Sequence, residues 1–326
     1  MRDGVGRTID YIRISVTDRC NFRCRYCMPS AGFSFLEPAE ILSYEELLRV
    51  LNILGRHGVS KVRLTGGEPL VRKGIVDFIR EIRALGTMTD ISMTTNGSLL
   101  GDVAHQLKDA GLDRINISID TLDEERFTRI TGTGRISDTL NGIRSALEAG
   151  LSPVKLNVVL TEVLSDEDIG YFVEQVNKYP VIVRFIEYMP IGHCEIRPGP
   201  GMADIKSRIS AAGYGPLEKT LSVRGNGPAK YYRLPSSPGM FGFVAAISEH
   251  FCHTCNRFRL TADGKIKPCL LANQEIDIKT ALRDGSTDEF LYKLILKAVR
   301  VKPPGHRLGE VQGGMTITRD MFKTGG

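Results

Sequence analysis

Residues 43–69 read SYEELLRVLNILGRHGVSKVRLTGGEP. Ser43 carries the hydroxyl of a helix N-cap, and Leu47, Leu48, Leu51 and Leu54 recur at the spacing of one helical face. A β-branched run over 61–64 follows and stops at Thr65-Gly66-Gly67-Glu68. The stretch is one helix feeding one buried strand whose C-terminal end is polar and glycine-rich. Working outward, the same unit recurs: strands are predicted at 11–16, 91–94, 114–119, 154–160 and 181–186, with helical patterns between them. Alternation of strand and helix over residues 11–190 predicts an α/β fold, an incomplete (β/α)6 TIM-type barrel with right-handed crossovers. Chemistry in such barrels sits at the C-terminal strand ends. Asp18-Arg19-Cys20, Thr65 to Glu68, Thr95-Asn96-Gly97 and Ser118-Ile119-Asp120 would therefore meet at one rim.

After Pro190 the pattern changes. IGHCEIRPGPGM (191–202) reads as a glycine- and proline-rich linker, and RGNGPAKYY (224–232) and LPSSPGMFG (234–242) read as loops. The expected organisation is a barrel over 1–194 and a smaller C-terminal region over 195–326 that covers its open side. The last stretch, GGMTITRDMFKTGG (313–326), has the look of a loose tail.

With 43 basic against 38 acidic side chains, the net charge of +5 is too mild for a duplex-coating protein but suits a local site for a polyanion. Aromatic residues make up only 7%, which counts against a single-strand nucleic-acid binder. No run approaches the roughly 18 apolar residues needed to span a bilayer, and MRDGVGRTID (1–10) lacks the apolar segment of a signal peptide. A cytoplasmic location is expected, where the seven cysteines stay reduced and serve as metal ligands or reactive groups.

Cys20, Cys24 and Cys27 form C-x3-C-x2-C directly after the first strand. Three thiolates on one short loop can hold three irons of a 4Fe-4S cube and leave the fourth open to a small molecule. Cys252, Cys255 and Cys269 form a second set, C-x2-C-x13-C. Its spacing alone favours zinc, with His250 or His253 as a fourth ligand. Two sets that each lack a fourth thiolate tilt the reading to two open cubes, with Cys194 a bystander beside the linker. Arg257 and Arg259 flank the second set, and alternation on an extended run would aim both guanidiniums the same way, as suits a phosphate.

The cysteine loop, with Tyr26 before its last cysteine and Gly66-Gly67-Glu68-Pro69 after the second strand, resembles the radical S-adenosylmethionine superfamily. GRTIDYIRISVTDRCNFRCRYCMP (6–29), KVRLTGGEPL (61–70), ISIDTLD (117–123), KLNVV (155–159), RFIEYMPIG (184–192), GPAKYY (227–232), the second cysteine set and the terminal Gly325-Gly326 are similar to a narrower family. That family is molybdenum cofactor biosynthesis protein A, the GTP 3',8-cyclases. The resemblance implies two 4Fe-4S clusters and S-adenosyl-L-methionine as cofactors. It implies GTP as substrate and (8S)-3',8-cyclo-7,8-dihydroguanosine 5'-triphosphate as product, the first step of molybdenum cofactor biosynthesis. An adenosyl radical takes the ribose 3' hydrogen, and the carbon radical adds to guanine C8. It further implies a homodimer, an external electron donor and delivery of product to cyclic pyranopterin monophosphate synthase, with no nucleic acid or membrane partner.

By the same resemblance Cys20, Cys24 and Cys27 hold the first cluster, and Tyr26, Gly67, Ser118 and Met189 line the S-adenosylmethionine site. Cys252, Cys255 and Cys269 hold the second, whose open iron takes the guanine edge. Arg13, Arg63, Thr94, Lys155, Arg257, Phe258 and Arg259 bind GTP, and Gly325 and Gly326 join Arg257 and Arg259 in catalysis as the tail enters its own site. Arg13 and Arg63 belong to strands buried on both faces, so each needs a counter-charge: a triphosphate, or Glu68 or Asp120. Lys155 falls near the start of its strand, away from the expected rim. Thr94 and Ser118 could instead cap helices, and Met189 has the profile of a core methionine.

Overall fold

The computed structural model describes residues 1–29, 32–192, 196–220, 227–306 and 317–325. The six predicted strands are present as β1 (Tyr11–Ser15), β2 (Lys61–Thr65), β3 (Asp90–Thr95), β4 (Arg114–Ser118), β5 (Val154–Leu160) and β6 (Val181–Glu187). Between them run α1 (Tyr44–Arg56), α2 (Ile75–Ala84), α3 (Ala104–Asp109), α4 (Glu124–Thr131), α5 (Ile136–Glu148) and α6 (Asp166–Lys178). Ser43 caps α1 as its sequence indicates, accepting from the Glu46 amide while the Glu46 carboxylate accepts from the Ser43 amide.

The region after residue 195 contributes α7 (Met202–Ala211), β7 (Glu218–Thr220), β8 (Lys230–Arg233), β9 (Met240–Val244), β10 (Arg257–Leu260), β11 (Lys265–Lys267), β12 (Ile276–Asp277), α8 (Lys279–Arg283), α9 (Asp288–Arg300) and α10 (Met321–Thr324). Two stretches read as loops are therefore strands: GPAKYY ends in β8, and LPSSPGMFG runs into β9. They are short, and β9 pairs with β6 far away in sequence, so local pattern is a weak guide to them.

The strands form one sheet in the order β12-β11-β10-β1-β2-β3-β4-β5-β6-β9-β8-β7. β10 runs parallel to β1, and β9 parallel to β6. The C-terminal region thus extends the barrel sheet at both open edges, giving eight parallel strands in a row among the described residues. Cys194 and Gly326 lie outside the described residues.

Seven of the eight parallel strands place a polar residue between two apolar ones: Ile12-Arg13-Ile14, Val62-Arg63-Leu64, Ile91-Ser92-Met93, Ile115-Asn116-Ile117, Leu156-Asn157-Val158, Val183-Arg184-Phe185 and Phe258-Arg259-Leu260, while β9 has Gly242 between Phe241 and Phe243. Side chains alternate across a strand, so the apolar set faces the helices and the polar set faces the barrel interior. The apolar layer is a continuous buried cluster with Leu47, Leu51 and Leu54 of α1 and Phe78, Ile79 and Ile82 of α2. Phe185 is fully buried, with Phe172 at 6.1 Å, Phe241 at 6.2 Å and Phe243 at 5.9 Å between ring centroids. It joins α6, β6 and β9, the seam where the C-terminal region meets the barrel. Phe185→Ala is expected to lower the free energy of unfolding by about 3–5 kcal/mol, read from anaerobic denaturant titration.

Candidate active site between two cysteine triads

The first triad follows β1 directly. Cys24 and Cys27 are joined by a turn in which the Cys27 and Met28 amides donate to the Cys24 carbonyl, each at 2.9 Å. The loop is fixed to the end of β2: the Gly67 amide donates to the Thr17 carbonyl at 2.7 Å, and the Glu68 amide to the Arg19 carbonyl at 2.8 Å. A β-carbon on Gly67 would come within 2.3 Å of the Arg19 carbonyl oxygen, and one on Gly66 within 2.6 Å of that of Thr17. Both glycines are thus required by backbone packing against the cysteine loop.

Glu68 is buried, accepting from the Thr95 hydroxyl at 2.7 Å and the Asn96 amide at 2.7 Å, and burial pushes its carboxyl up to about 7. Asp120 accepts from the Val159 amide at 2.8 Å and from Tyr26, and burial raises it to about 6. Burial, and then the neighbouring Cys27 and Cys20, push the Cys24 thiol well up, and burial followed by Glu68 raises Cys20 to about 11. Three mutually repelling thiolates in such surroundings require bound cations, which suits the iron of a 4Fe-4S cluster. Residues from this triad line a cavity of about 200 Å3 together with Tyr26, Gly67, Thr94 and Ser118.

The second triad lines a cavity of about 210 Å3 with Arg13, Arg63, Arg184, Arg257, Phe258 and Arg259. Cys252, Cys255 and Cys269 are all half-buried and free of disulfides. Burial raises the Cys255 thiol, but the Lys302 ammonium and the Arg257 guanidinium outweigh it, so the net shift is downward. Lys302 is itself anchored by the Arg257 carbonyl at 2.8 Å and the Pro268 carbonyl at 2.7 Å. Cys255 therefore sits in a positive field that favours its thiolate, and the residues of this triad also fit a cluster. His250, Cys252 and His306 present ligand atoms within 4.8 Å of one another, a group that holds two histidines and one cysteine of the triad. Asn157, Ile186, Met189 and Met321 line both cavities, so the two triads open to adjoining halves of one chamber.

The chamber floor is cationic. Arg63, Arg13 and Arg259 stand side by side across β2, β1 and β10. Arg63 donates from Nε to the Ser92 hydroxyl at 3.2 Å, Arg184 from Nε to Asn157 Oδ1 at 3.0 Å, and Arg259 to the Gly325 carbonyl. With its amide oxygen turned inward, Asn116 accepts from Arg184 at 3.1 Å and from Arg63. These three arginines are thus held by neutral acceptors, and among the described residues no carboxylate pairs with them. Glu68 and Asp120, the counter-charges considered from sequence, are occupied elsewhere. Arg114 differs, pairing with Asp90. Burial lowers Arg184 and Arg259 to about 10 and Arg13 well below its usual value, the last with help from Arg259. Tyr11 shows the same field: burial alone would raise its phenol, yet Arg63, Arg13, Arg257 and Arg114 bring it down.

Of the predicted site residues, Arg13, Arg63, Arg257, Phe258 and Arg259 meet at the second half, Tyr26, Gly67, Thr94 and Ser118 at the first, and Met189 at their junction. Thr94, expected with GTP, is thus grouped with the residues expected for S-adenosylmethionine. Phe258 is 1% exposed and belongs to the apolar layer, as alternation requires. Lys155 lines neither cavity; it is buried one pleat below, with Nζ 3.3 Å from the Tyr231 hydroxyl, and burial together with Arg184 lowers it to about 6. The described tail, 317–325, is packed rather than loose. Phe322 is 1% exposed against Phe33 and Phe35, Arg319 pairs with Asp263 at 2.9 Å and Glu275 at 2.8 Å, and Gly325 reaches Arg259. Gly325 has φ +74°, and a β-carbon there would lie 2.2 Å from Thr65 Oγ1. Sequence reading missed Arg184, although a lone arginine inside VIVRFIE carries the same signal as Arg13. It also missed Tyr11, Asn157 and Lys302, whose residue types give no such signal.

A parallel barrel with three cysteines after its first strand, open to a cavity rimmed by Gly67 and Ser118, is the architecture of a radical S-adenosylmethionine protein. Residues 14–176 match the Radical SAM superfamily and residues 181–308 the Molybdenum Cofactor Synthesis C family. The fold is similar to that of Streptococcus suis SuiB bound to S-adenosylmethionine, at TM-score 0.64 and 15% identity over 98% of this chain and 78% of that one. It is also similar to anSMEcpe with bound AdoMet, at TM-score 0.55 and 14% identity over 90% and 83%. The GTP 3',8-cyclase of Heliobacterium modesticaldum is 47% identical over 94% of this chain and 95% of its own length. Those of Desulforamulus reducens and Moorella thermoacetica are each 46% identical over 100% of both chains. The chain belongs to the GTP 3',8-cyclase family of the radical SAM superfamily. Gly67→Ala is expected to remove the first cluster alone, halving iron from about eight to about four per chain after anaerobic reconstitution, as counted by iron and sulfide analysis.

Proposed function

We propose that the protein is a GTP 3',8-cyclase that binds S-adenosylmethionine at the first triad and the guanine of GTP at the second. The observation that carries this is the chamber itself: two cysteine triads open to it, and its floor holds buried guanidiniums fixed by neutral acceptors. A triphosphate supplies the missing negative charge, and planar guanidinium forks suit its oxygens. When bound, the first cluster with S-adenosylmethionine supplies the radical chemistry that takes the ribose 3' hydrogen, and the second offers an iron to the purine.

The residues of the chain then act by binding and exclusion. Cys20, Cys24 and Cys27 hold the first cluster, with Tyr26, Gly67, Ser118 and Met189 around S-adenosylmethionine, and Cys252, Cys255 and Cys269 hold the second. Arg13, Arg63, Arg257 and Arg259 take the phosphates, with Arg184 added and Thr94 at the junction with S-adenosylmethionine. Lys155 acts from below the arginine layer. Gly325, bonded to Arg259, helps close the chamber, because water or stray hydrogen donors would intercept the radical. The division into a barrel over 1–194 and a second region over 195–326 assigns one cluster to each.

The same reading takes the enzyme as a cytoplasmic homodimer that draws electrons from an external donor and passes its product to cyclic pyranopterin monophosphate synthase. No helix among the described residues is long and apolar enough to cross a membrane. Arg257→Ala and Arg259→Ala are expected to weaken GTP binding by roughly 10- to 100-fold, with iron content and GTP-independent cleavage of S-adenosylmethionine unchanged. Anaerobic binding measurements and 5'-deoxyadenosine quantification check this. Unaltered GTP affinity in both variants would remove these arginines from the phosphate site.

A further inference from the structure

A half-buried tyrosine outside the chamber wall joins Arg184 of its floor to Lys155 beneath. Tyr231 stands on β8 opposite Gly242 of β9. A β-carbon on Gly242 would lie 3.0 Å from Tyr231 Cε1 and 2.9 Å from Arg184 Cγ. The glycine therefore leaves the gap in which the ring of Tyr231 lies over β9 and meets a side chain of β6. The Tyr231 hydroxyl accepts from Lys155 Nζ at 3.3 Å and is also hydrogen-bonded to Arg184, while Lys155 Nζ lies 5.5 Å from its ring centroid. A β-carbon on Gly227, at the start of the same GPAKYY segment, would sit 3.6 Å from Arg184 Nη1, so the segment wraps this one guanidinium.

We propose that Tyr231 is a positioning residue for the polyphosphate: its hydroxyl and ring hold Lys155 and Arg184 side by side and aim Arg184 into the chamber without cancelling the guanidinium's charge. Two adjacent buried donors, a lysine amine and a guanidinium, need an acceptor between them. A carboxylate would serve, but it would neutralise the charge that an anionic ligand uses. A phenol oxygen and a ring face leave that charge intact. The inference rests on the GTP reading above.

The test compares wild-type holoenzyme with Tyr231→Phe and Gly242→Ala, all reconstituted anaerobically, by calorimetric binding of GTP and of guanosine and by steady-state kinetics. Tyr231→Phe keeps the ring and should weaken GTP binding roughly tenfold. Guanosine affinity and kcat should stay within about twofold while the KM for GTP rises. Gly242→Ala keeps the hydroxyl but displaces the ring, and should give the same GTP-selective loss. Wild-type GTP affinity in both variants overturns the proposal, as do equal losses for GTP and guanosine, which a packing role produces. Failure of the wild type to bind GTP overturns the substrate reading on which the proposal rests.

Discussion

Guanidiniums buried in the barrel and fixed by neutral acceptors set the terms for the rest of this protein. Removing an ion from water costs several kcal/mol even after the surroundings relax, and the Ser92 hydroxyl, the Asn157 amide and the Gly325 carbonyl recover only part of that. The arrangement is poised for a polyanion. Alternation on the strands makes it possible, because the same pleat that aims Arg13, Arg63, Arg184 and Arg259 inward buries their apolar neighbours against the helices. Net charge is nearly irrelevant to this, since the excess of +5 is spread over the whole chain while the floor concentrates its cations in one place.

The thiols of the two triads shift in opposite directions where they shift at all. Burial and neighbouring acids push Cys20 and Cys24 of the first up, whereas Lys302 and Arg257 favour a thiolate at Cys255 of the second. The fold brings them together by an uncommon route. The C-terminal region donates β10 to one edge of the barrel sheet and β9 to the other, so the second triad, on the chain flanking β10, lies by the start of β1, at the end of that strand opposite its cysteine loop. The tail then returns across the junction, where Met321 touches both halves and Gly325 meets Arg259.

Much of this was legible in the sequence, for physical reasons. The six barrel strands, the Ser43 cap and the inward aim of Arg257 and Arg259 follow from period-2 and helical patterns that act over a few residues. Both triads were readable because cysteine spacing is sparse and chemically specific. The sheet edges were not, because β9 and β10 join the barrel by pairing with β6 and β1, far away in sequence, and only the folded chain defines those pairings. Lys155 was correctly placed near the start of its strand, but its contact with Tyr231 depends on a glycine in a third strand. The close packing of Gly66 and Gly67 against the cysteine loop was equally hidden, since a Gly-Gly pair reads the same whether it faces a ligand or a backbone.

The most direct measurement is a crystal structure of the anaerobically reconstituted protein with GTP, using anomalous scattering at the iron edge. Iron is expected at both triads, with the triphosphate oxygens against the Arg63–Arg13–Arg259 row and guanine toward Cys252, Cys255 and Cys269. Nucleotide bound instead in the outer cavity beside Lys206 and Lys230, leaving that row without an anion, would contradict it.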